Sequence, residues 1–587
     1  MSYDNNPETQ INLSDNTPIL VAVAWPYVNG DIHVGHIAGC FLSADIFARY
    51  NRLKGRPVLM VSGSDCHGTP ITVAADKEKV TPQEIVDKYH PKVLNLIKTL
   101  EIEYELYTKT TTENHYKITQ DLFVALAKNG YISKKVTPQY YSEKDNKFLP
   151  DRYVEGTCPF CGFEDSRSDQ CDKCSSVIEE GKLIKPRSKN TGSPVEFKDT
   201  EHYFLDLDKF QLELENFVEN KSYWREWVLA ETKGWLKRGL YERSITRDLD
   251  WGIPIPTDRL PDELKLDGAE NKRFYVWFDA VIGYLSASVE WSDMHKDNDG
   301  NLPKPWLDWK HYWYNEDARH YYFMGKDNLF FHTISWPAML IGSDKNKQLP
   351  FYPAINNFLN LEGDKFSKSR GVVLYPEYVV ENYGIDSLRY YLAKVMPENQ
   401  DADWIWKDFV AANNNELVAN FGNFVFRVLS FYKAHPELDP TKHILFAVDN
   451  TVQQEIKETF YEVGRLIEEC KLAEALQRIM KLSSFGNKYF NDNEPWKVIK
   501  TSEMAASEAI YNCLTIIDNL RILLHPILPS AMNKLTRMLD YTDLIVPEVE
   551  INKWEYKPWN HEQKIEEFIE PLFKKFDEKE VLEKEKK

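Results

Sequence analysis

The sequence predicts an α/β protein built on a parallel sheet and completed by a C-terminal α-helical bundle. Three observations predict it. A strand–helix–strand pattern occupies residues 19–61, and helix-period hydrophobicity runs on from about residue 404. At 587 residues the chain is also too long for one core, and typical domain sizes divide it into about three to five units.

Hydrophobic residues make up 43% and aromatic residues 13%, enough for packed interiors, so a disordered chain is excluded. The formal charge is −19, from 72 Lys and Arg against 91 Asp and Glu. Non-specific nucleic-acid affinity comes from phosphate neutralisation by Lys and Arg, so this charge disfavours it while allowing a selective RNA partner. The N-terminal stretch lacks the basic-then-apolar order of a signal peptide, and no apolar run reaches the ~20 residues that span a bilayer. Eight Cys, four of them in paired CxxC units, suit a reducing compartment and a metal better than disulfides. A cytoplasmic location away from membranes is the expectation.

Ile19 to Trp25 (ILVAVAW) reads as a buried strand between Pro18 and Pro26. After a turn at 27–31, His33-Val34-Gly35-His36 opens a helix running to about Lys54, with Gly55 as its stop and Pro57 beyond. Pro57 to Val61 is the next strand, leading into Gly63-Ser64-Asp65-Cys66-His67-Gly68. A βαβ unit of this kind sets polar residues at the carboxyl ends of parallel strands, where open α/β sheets bind ligands. The absence of GxGxxG argues against a dinucleotide enzyme. His33 and His36 share one helix face, Gly35 lets a ligand approach the backbone, and a helix N-terminus favours phosphate. HxGH by itself indicates nucleotidyl transfer and no more.

Cys158, Cys161, Cys171 and Cys174 form Cx2C-x9-Cx2C, which matches a closed tetrahedral Zn²⁺ site. Four thiolates leave no open position, so this zinc is expected to be structural. Farther on, Lys365-Phe366-Ser367-Lys368-Ser369 forms a polar loop between Gly363 and Gly371. Lys365 and Lys368 can reach phosphate as mobile cations, Ser367 offers a hydroxyl, and the glycines permit closure once ATP binds. Breaking the α–β bond of ATP builds negative charge that imidazole and ammonium groups can stabilise from opposite sides.

From about Trp404, segments such as ELVANFGNFVFRVLSFYKAH carry apolar residues at helical spacing and predict a bundle. Asn423 and Arg427 lie four apart on one face. Asn493-Glu494-Pro495-Trp496 reads as a helix start, with Asn493 as cap and Pro495 in the first turn, holding Trp496 near the tip. An amide, a guanidinium and an indole are groups that read unstacked bases. The tail from Gln563 reads as a charged helix or frayed end.

HxGH combined with KxSKS is similar to the signature of class I aminoacyl-tRNA synthetases. The words AWPYVNGDIHVGH, SGSDCHGTPI, YVWFDAVIGY, GKDNLFFH, WPAML and DKFSKSRG closely resemble the methionyl-tRNA synthetase family, in order and separation, from about residue 18 to about 545. The resemblance implies a split Rossmann-like catalytic domain with a zinc-knuckle insertion and a C-terminal helical bundle. The implied division is 1–130 and 244–345 for the catalytic halves, 131–243 for the insertion, 346–403 for a linking domain, 404–545 for the anticodon-binding bundle and 546–587 for an extension.

The resemblance also implies the chemistry: ATP with Mg²⁺ and L-methionine give methionyl-adenylate, and tRNA(Met), including the initiator, accepts the amino acid. His33, His36, Lys365 and Lys368 become the catalytic groups, with Gly35, Asp327 and Ser367 completing the ATP site. Asp65, just past a strand end, suits an α-ammonium, and Tyr27, Trp277, Tyr284 and His332 supply aromatic and polar walls. Trp25 and Val281 join that pocket by resemblance. They depart from the enteric-bacterial pattern, which has Leu and Pro there. Asn423, Arg427, Pro495 and Trp496 fall on the anticodon surface. Where some relatives have a second Cys-rich knuckle, this chain has Tyr140 and its neighbours and the stretch from Pro186, so one zinc is expected. No dimerising domain follows the bundle, so a monomer is expected.

The length leaves no room for the large editing insertion of the Leu, Ile and Val enzymes, and AWPYVNG lacks the Cys of a cysteine enzyme. Two other classes stay open. A small-metabolite nucleotidyltransferase would share HVGH without needing the bundle, and a non-catalytic tRNA-binding paralogue would be expected to lose the histidines or lysines.

Overall fold

The computed structural model describes residues 11, 13–150, 153–168, 171, 173–174, 178, 181–364, 366, 372–438, 447–541, 552–560, 563–566 and 568–586. Lys365, Ser367 and Lys368 of the lysine loop lie outside these residues.

At the centre is a five-stranded parallel sheet of β1 (Ile19–Val23), β2 (Val58–Ser64), β3 (Leu106–Lys109), β4 (Arg319–Gly325) and β5 (Pro350–Asn356), in the spatial order β5-β4-β1-β2-β3. β1 and β2 are buried along their whole length, and their near-continuous apolar sequences are what a parallel sheet covered on both faces requires. β1 pairs with β2 on one side and with β4 on the other, Ile19 opposite Arg319 through Val23 opposite Phe323. The strand order therefore reverses at β1. The carboxyl ends of β1 and β4 lie together at that switch point, where such sheets open a crevice.

The helix predicted from His33 forms in three parts: Val34–His36, a π-helical stretch Ile37–Phe41, and Leu42–Leu53. Between β3 and β4 the chain leaves the sheet. Strand Ile132–Ser142 runs antiparallel to Glu196–Leu205 from Ile132 opposite Leu205 to Tyr141 opposite Glu196, forming a long ribbon. At its far end Tyr140, Leu149, Tyr153, Val154, Leu183 and two of the cysteines make a small core separate from the main one.

Beyond β5, helices Pro376–Tyr383 and Ile385–Lys394 lead into the bundle. The bundle is centred on Glu503–Leu524, which is buried on nearly every face from Ala506 onward. It packs against Leu472–Asn493, where Gly486 allows close approach: a Cβ there would sit 3.1 Å from Ile516 Cγ2, and 2.6 Å from the Phe424 ring of helix Asn423–Ala434. The tail is a docked element and not a frayed end. Helix Glu578–Glu585, capped by Asp577, returns to helix Pro376–Tyr383, where the Tyr378 and Tyr383 hydroxyls donate to Glu585 at 2.7 and 2.5 Å. Phe576 packs beside Tyr383 and Phe409, burial that the charged sequence conceals.

Candidate active site

His33 is the N-cap of its helix. Its Nδ1 accepts from the Gly35 N–H at 3.2 Å, while His36 Nδ1 accepts from the His33 N–H at 3.3 Å. This reciprocal cap draws both imidazoles onto one face, with ring centroids 3.9 Å apart. Gly35 has no room for a side chain: a Cβ would lie 2.9 Å from His33 Nδ1 and 3.1 Å from Phe366. Phe366, the described residue of the lysine loop, stacks on His33 at 4.7 Å. The two motifs thus meet in space.

Past their ends β1 and β2 stay paired through a bridge between Tyr27 and Asp65, with the Asp65 N–H donating to Pro26. Backbone hydrogen bonds therefore fix these side chains beside each other at the sheet edge. Asp65 is 3% exposed, and burial, followed by the charge of Asp279, pushes its carboxyl well above the usual range, opposed by the N–H of His67. A carboxyl in that state gains from a cationic ligand, which lowers the cost of ionising it.

Trp25 lies in a slot between two glycines. A Cβ on Gly63 would come within 2.4 Å of its ring, and one on Gly283 within 2.7 Å. Tyr284 and His332 are joined at 2.8 Å, and His332 Nδ1 lies 2.9 Å from the Asn328 carbonyl. Burial drives the His332 imidazole down to about 4, so it is neutral near pH 7. The carbonyl can only accept, so Nδ1 carries the hydrogen and Nε2 accepts from the Tyr284 hydroxyl. Trp277 stacks on Phe331 at 4.3 Å. Asp327 follows the end of β4, and burial raises its carboxyl.

One cavity of about 410 Å³ is lined by all of these: Trp25, Tyr27, Asp65, Trp277, Val281, Tyr284 and His332, together with His33, Gly35, His36 and Asp327. Its size suits a small-molecule site. Cys40 and Asn357 line it too, and the sequence reading missed both. Asn357 directly follows β5, so its place at a strand's carboxyl end was the available signal. Cys40, on the π-helical stretch, gave none.

The bundle residues also converge. Asn423 and Arg427 are exposed on helix Asn423–Ala434. The Arg427 guanidinium lies 4.9 Å over Phe490 and 5.9 Å over Trp496, and donates to Asn491 at 2.9 Å. Trp496 is half-buried and Pro495 buried in the short helix Pro495–Val498. The cap differs from expectation: Asn493 ends the preceding helix, its amide donating to the Tyr489 carbonyl, and Glu494 is the N-cap. The left-handed backbone at Glu494 (φ 40°) makes so sharp a turn that the two helices share one junction residue.

The four knuckle sulfurs lie within 4.8 Å of one another, Cys158 to Cys174 at 3.8 Å and Cys161 to Cys171 at 3.6 Å. Thiolates at ~2.3 Å around a tetrahedral ion are spaced by about 3.8 Å, so the donor set fits a metal. The first loop closes by Cys158 N–H to Phe163 and Gly162 N–H to Cys158, with Gly162 at φ +73°.

Two family models match the chain: tRNA synthetases class I (M) over residues 19–429, and the anticodon binding domain of methionyl tRNA ligase over residues 440–587. The chain belongs to the methionine branch of the class I tRNA synthetases. It is 46% identical over 543 residues to a methionine–tRNA ligase of Roseiflexus castenholzii, covering 91% of this chain and 89% of that one. It is 44% identical over 605 residues to that of Chloroflexus aggregans, covering 97% and 98%. Among solved structures, a Mycobacterium tuberculosis methionyl-tRNA synthetase bound by methionyl-adenylate shares the fold, with a TM-score of 0.74 at 21% identity over 95% of this chain and 100% of that one. Among the described residues no helix is long and apolar enough to cross a membrane.

Proposed function

We propose that this chain is a methionine–tRNA ligase. The carboxylate of L-methionine attacks the α-phosphorus of ATP, pyrophosphate leaves, and the 3′-terminal adenosine hydroxyl of tRNA(Met) then takes the methionyl group with release of AMP. The observation that carries the reading is the single cavity that joins Asp65 and the aromatic walls to the HVGH histidines at the sheet's switch point.

In this reading Asp65 holds the α-ammonium by a charge-assisted hydrogen bond. Trp25, Tyr27, Trp277, Val281, Tyr284 and His332 enclose the thioether, where shape selects more than any one sulfur–aromatic contact. His33, Gly35, His36 and Asp327 bind ATP together with Lys365, Ser367 and Lys368. Mg²⁺ enters with ATP and neutralises phosphate charge. Orientation and charge stabilisation carry the reaction, and no covalent enzyme intermediate is required.

Asn423, Arg427, Pro495 and Trp496 read the anticodon of initiator and elongator tRNA(Met) by stacking and hydrogen bonding. Cys158, Cys161, Cys171 and Cys174 hold one structural Zn²⁺. We divide the chain at 130, 243, 345, 403 and 545, as the motifs suggest, and take it to act as a cytoplasmic monomer. Methionine-dependent ATP–pyrophosphate exchange, run against a panel of amino acids, tests the reading. Exchange is expected with methionine above all others, and its absence with methionine rejects the assignment.

A further inference from the structure

Behind the cavity wall a second buried carboxyl accompanies Asp65. Asp279 ends the short helix Val276–Asp279, is 0% exposed and does not line the cavity. Its charge bears directly on Asp65. Two buried carboxyls whose charges act on one another resist ionising together.

The group set between them is His67. Its Nδ1 lies 2.8 Å from Asp279 Oδ2, its backbone N–H donates to Asp65 Oδ1 at 3.3 Å, and its Nε2 lies 3.3 Å from the Tyr116 hydroxyl. His67 is 1% exposed. Two contacts keep the loop from shifting. Trp251 Nε1 donates to the Cys66 carbonyl at 2.8 Å, and Gly68, at φ +97°, packs against Val276 on the Asp279 helix. The other titratable groups facing this cluster are Tyr116 and His115 from helix Glu113–Lys128, Tyr284 from helix Gly283–Met294, and Cys66. Arg273 and Lys109 bear on Tyr116 and Cys66 from their strands. His67 is the one basic side chain hydrogen-bonded to either carboxyl among the described residues.

We propose that His67 is a positioning residue: by pairing with Asp279 it leaves Asp65 as the carboxylate that meets the α-ammonium of the substrate. This rests on Asp65 being the ammonium anchor. Burial and Asp279 already hold the Asp65 carboxyl above the usual range, so substrate affinity rises with pH as Asp65 loses its proton to solvent. Removing the imidazole that pairs with Asp279 forces Asp279 and Asp65 to compete for one negative charge, which moves that rise to higher pH.

His67→Asn keeps an N–H near the position of Nδ1 but offers Asp279 no basic ring nitrogen. It is expected to raise the KM for methionine about tenfold at pH 7, because the ionised fraction of Asp65 falls by about that factor. The KM for ATP should change little, and most of the loss should be recovered at pH 9. The double variant His67→Asn with Asp279→Asn removes the competitor and is expected to restore the KM to within about threefold of the starting protein. A KM unchanged in the single variant overturns the proposal. So does a loss equal at both pH values and not relieved in the double variant, because that marks a purely structural role. If the single variant does not fold, calorimetry on the unaltered protein decides. Methionine binding measured in two buffers of different ionisation enthalpy is expected to release a proton below the Asp65 titration, and no release anywhere from pH 5 to 9 overturns the proposal. Asp65→Asn with an unchanged KM for methionine would instead sink the anchor assignment, whatever His67 does.

Discussion

Trp25 occupies a slot that exists because Gly63 and Gly283 lack side chains. The indole is legible in the motif AWPYVNG, but the slot is not, since the two glycines come from distant segments and meet only when the sheet and helix Gly283–Met294 assemble. Trp496 is the opposite case. Its place at a helix tip was foreseeable from NEPW, whereas its meeting with Arg427 was expected only through the family resemblance. Trp496→Ala is expected to raise the KM for tRNA tenfold or more, since base–aromatic stacking is worth about 1–3 kcal/mol, while leaving methionine-dependent pyrophosphate exchange near its original rate. Equal loss in both assays would remove Trp496 from the tRNA surface.

The HVGH element shows how far a pattern carries and where it stops. The helix start and the shared face of His33 and His36 follow from their spacing, while the reciprocal histidine cap is seen only in the structure. The π-helical stretch Ile37–Phe41 does not, because local sequence carries no mark for a wider turn. The ribbon's distal core is smaller still, and two of its eight buried residues are cysteines. With so little apolar area, a metal held by the four cysteines would carry a large share of the stability there. Cys171→Ser is expected to cut bound zinc from about one per chain to well below that, as four-thiolate sites require. Hydrogen exchange would then show lost protection around Tyr140, Tyr153 and Leu183, while β1 and β4 stay protected. Retention of full zinc, or collapse of the whole sheet, contradicts that view of the knuckle.

Across the molecule, Asp45 ties three regions together. It lies on helix Leu42–Leu53, 0% exposed, pairing with Arg49 at 3.0 Å and with Arg389 at 2.6 Å. Arg389 in turn donates to the Pro526 and Ile527 carbonyls at the end of the central bundle helix and to Leu100 beside the sheet. Burial pushes the Asp45 carboxyl up, but the two guanidiniums more than reverse this and hold it below the usual value. A carboxyl lowered on folding adds stability above its unfolded pKa of about 3.9, and that stability is lost as pH falls through the lower folded value. Asp45→Ala leaves the buried Arg389 guanidinium without a carboxylate, while Arg49 keeps Glu103 at 3.0 Å, and is expected to cost about 3–5 kcal/mol in chemical denaturation at pH 7. The gap between variant and parent should narrow in strong acid. A cost below ~1 kcal/mol at pH 7 would show that this network is not what joins bundle to sheet.

The sequence by itself determined the local chemistry of this protein: buried strands of continuous apolar residues, a helix opening with two histidines on one face, a four-cysteine donor set, amphipathic helices and the family to which its motifs belong. These depend on neighbours a few residues apart. Tertiary structure alone decided that β1 pairs with a strand three hundred positions later, that Phe366 lies on His33, that His67 stands between two buried carboxyls, and that a charged tail docks on Tyr378 and Tyr383. Each of those depends on which distant surfaces exclude water together, and burial on folding is a property of the whole chain rather than of any one segment.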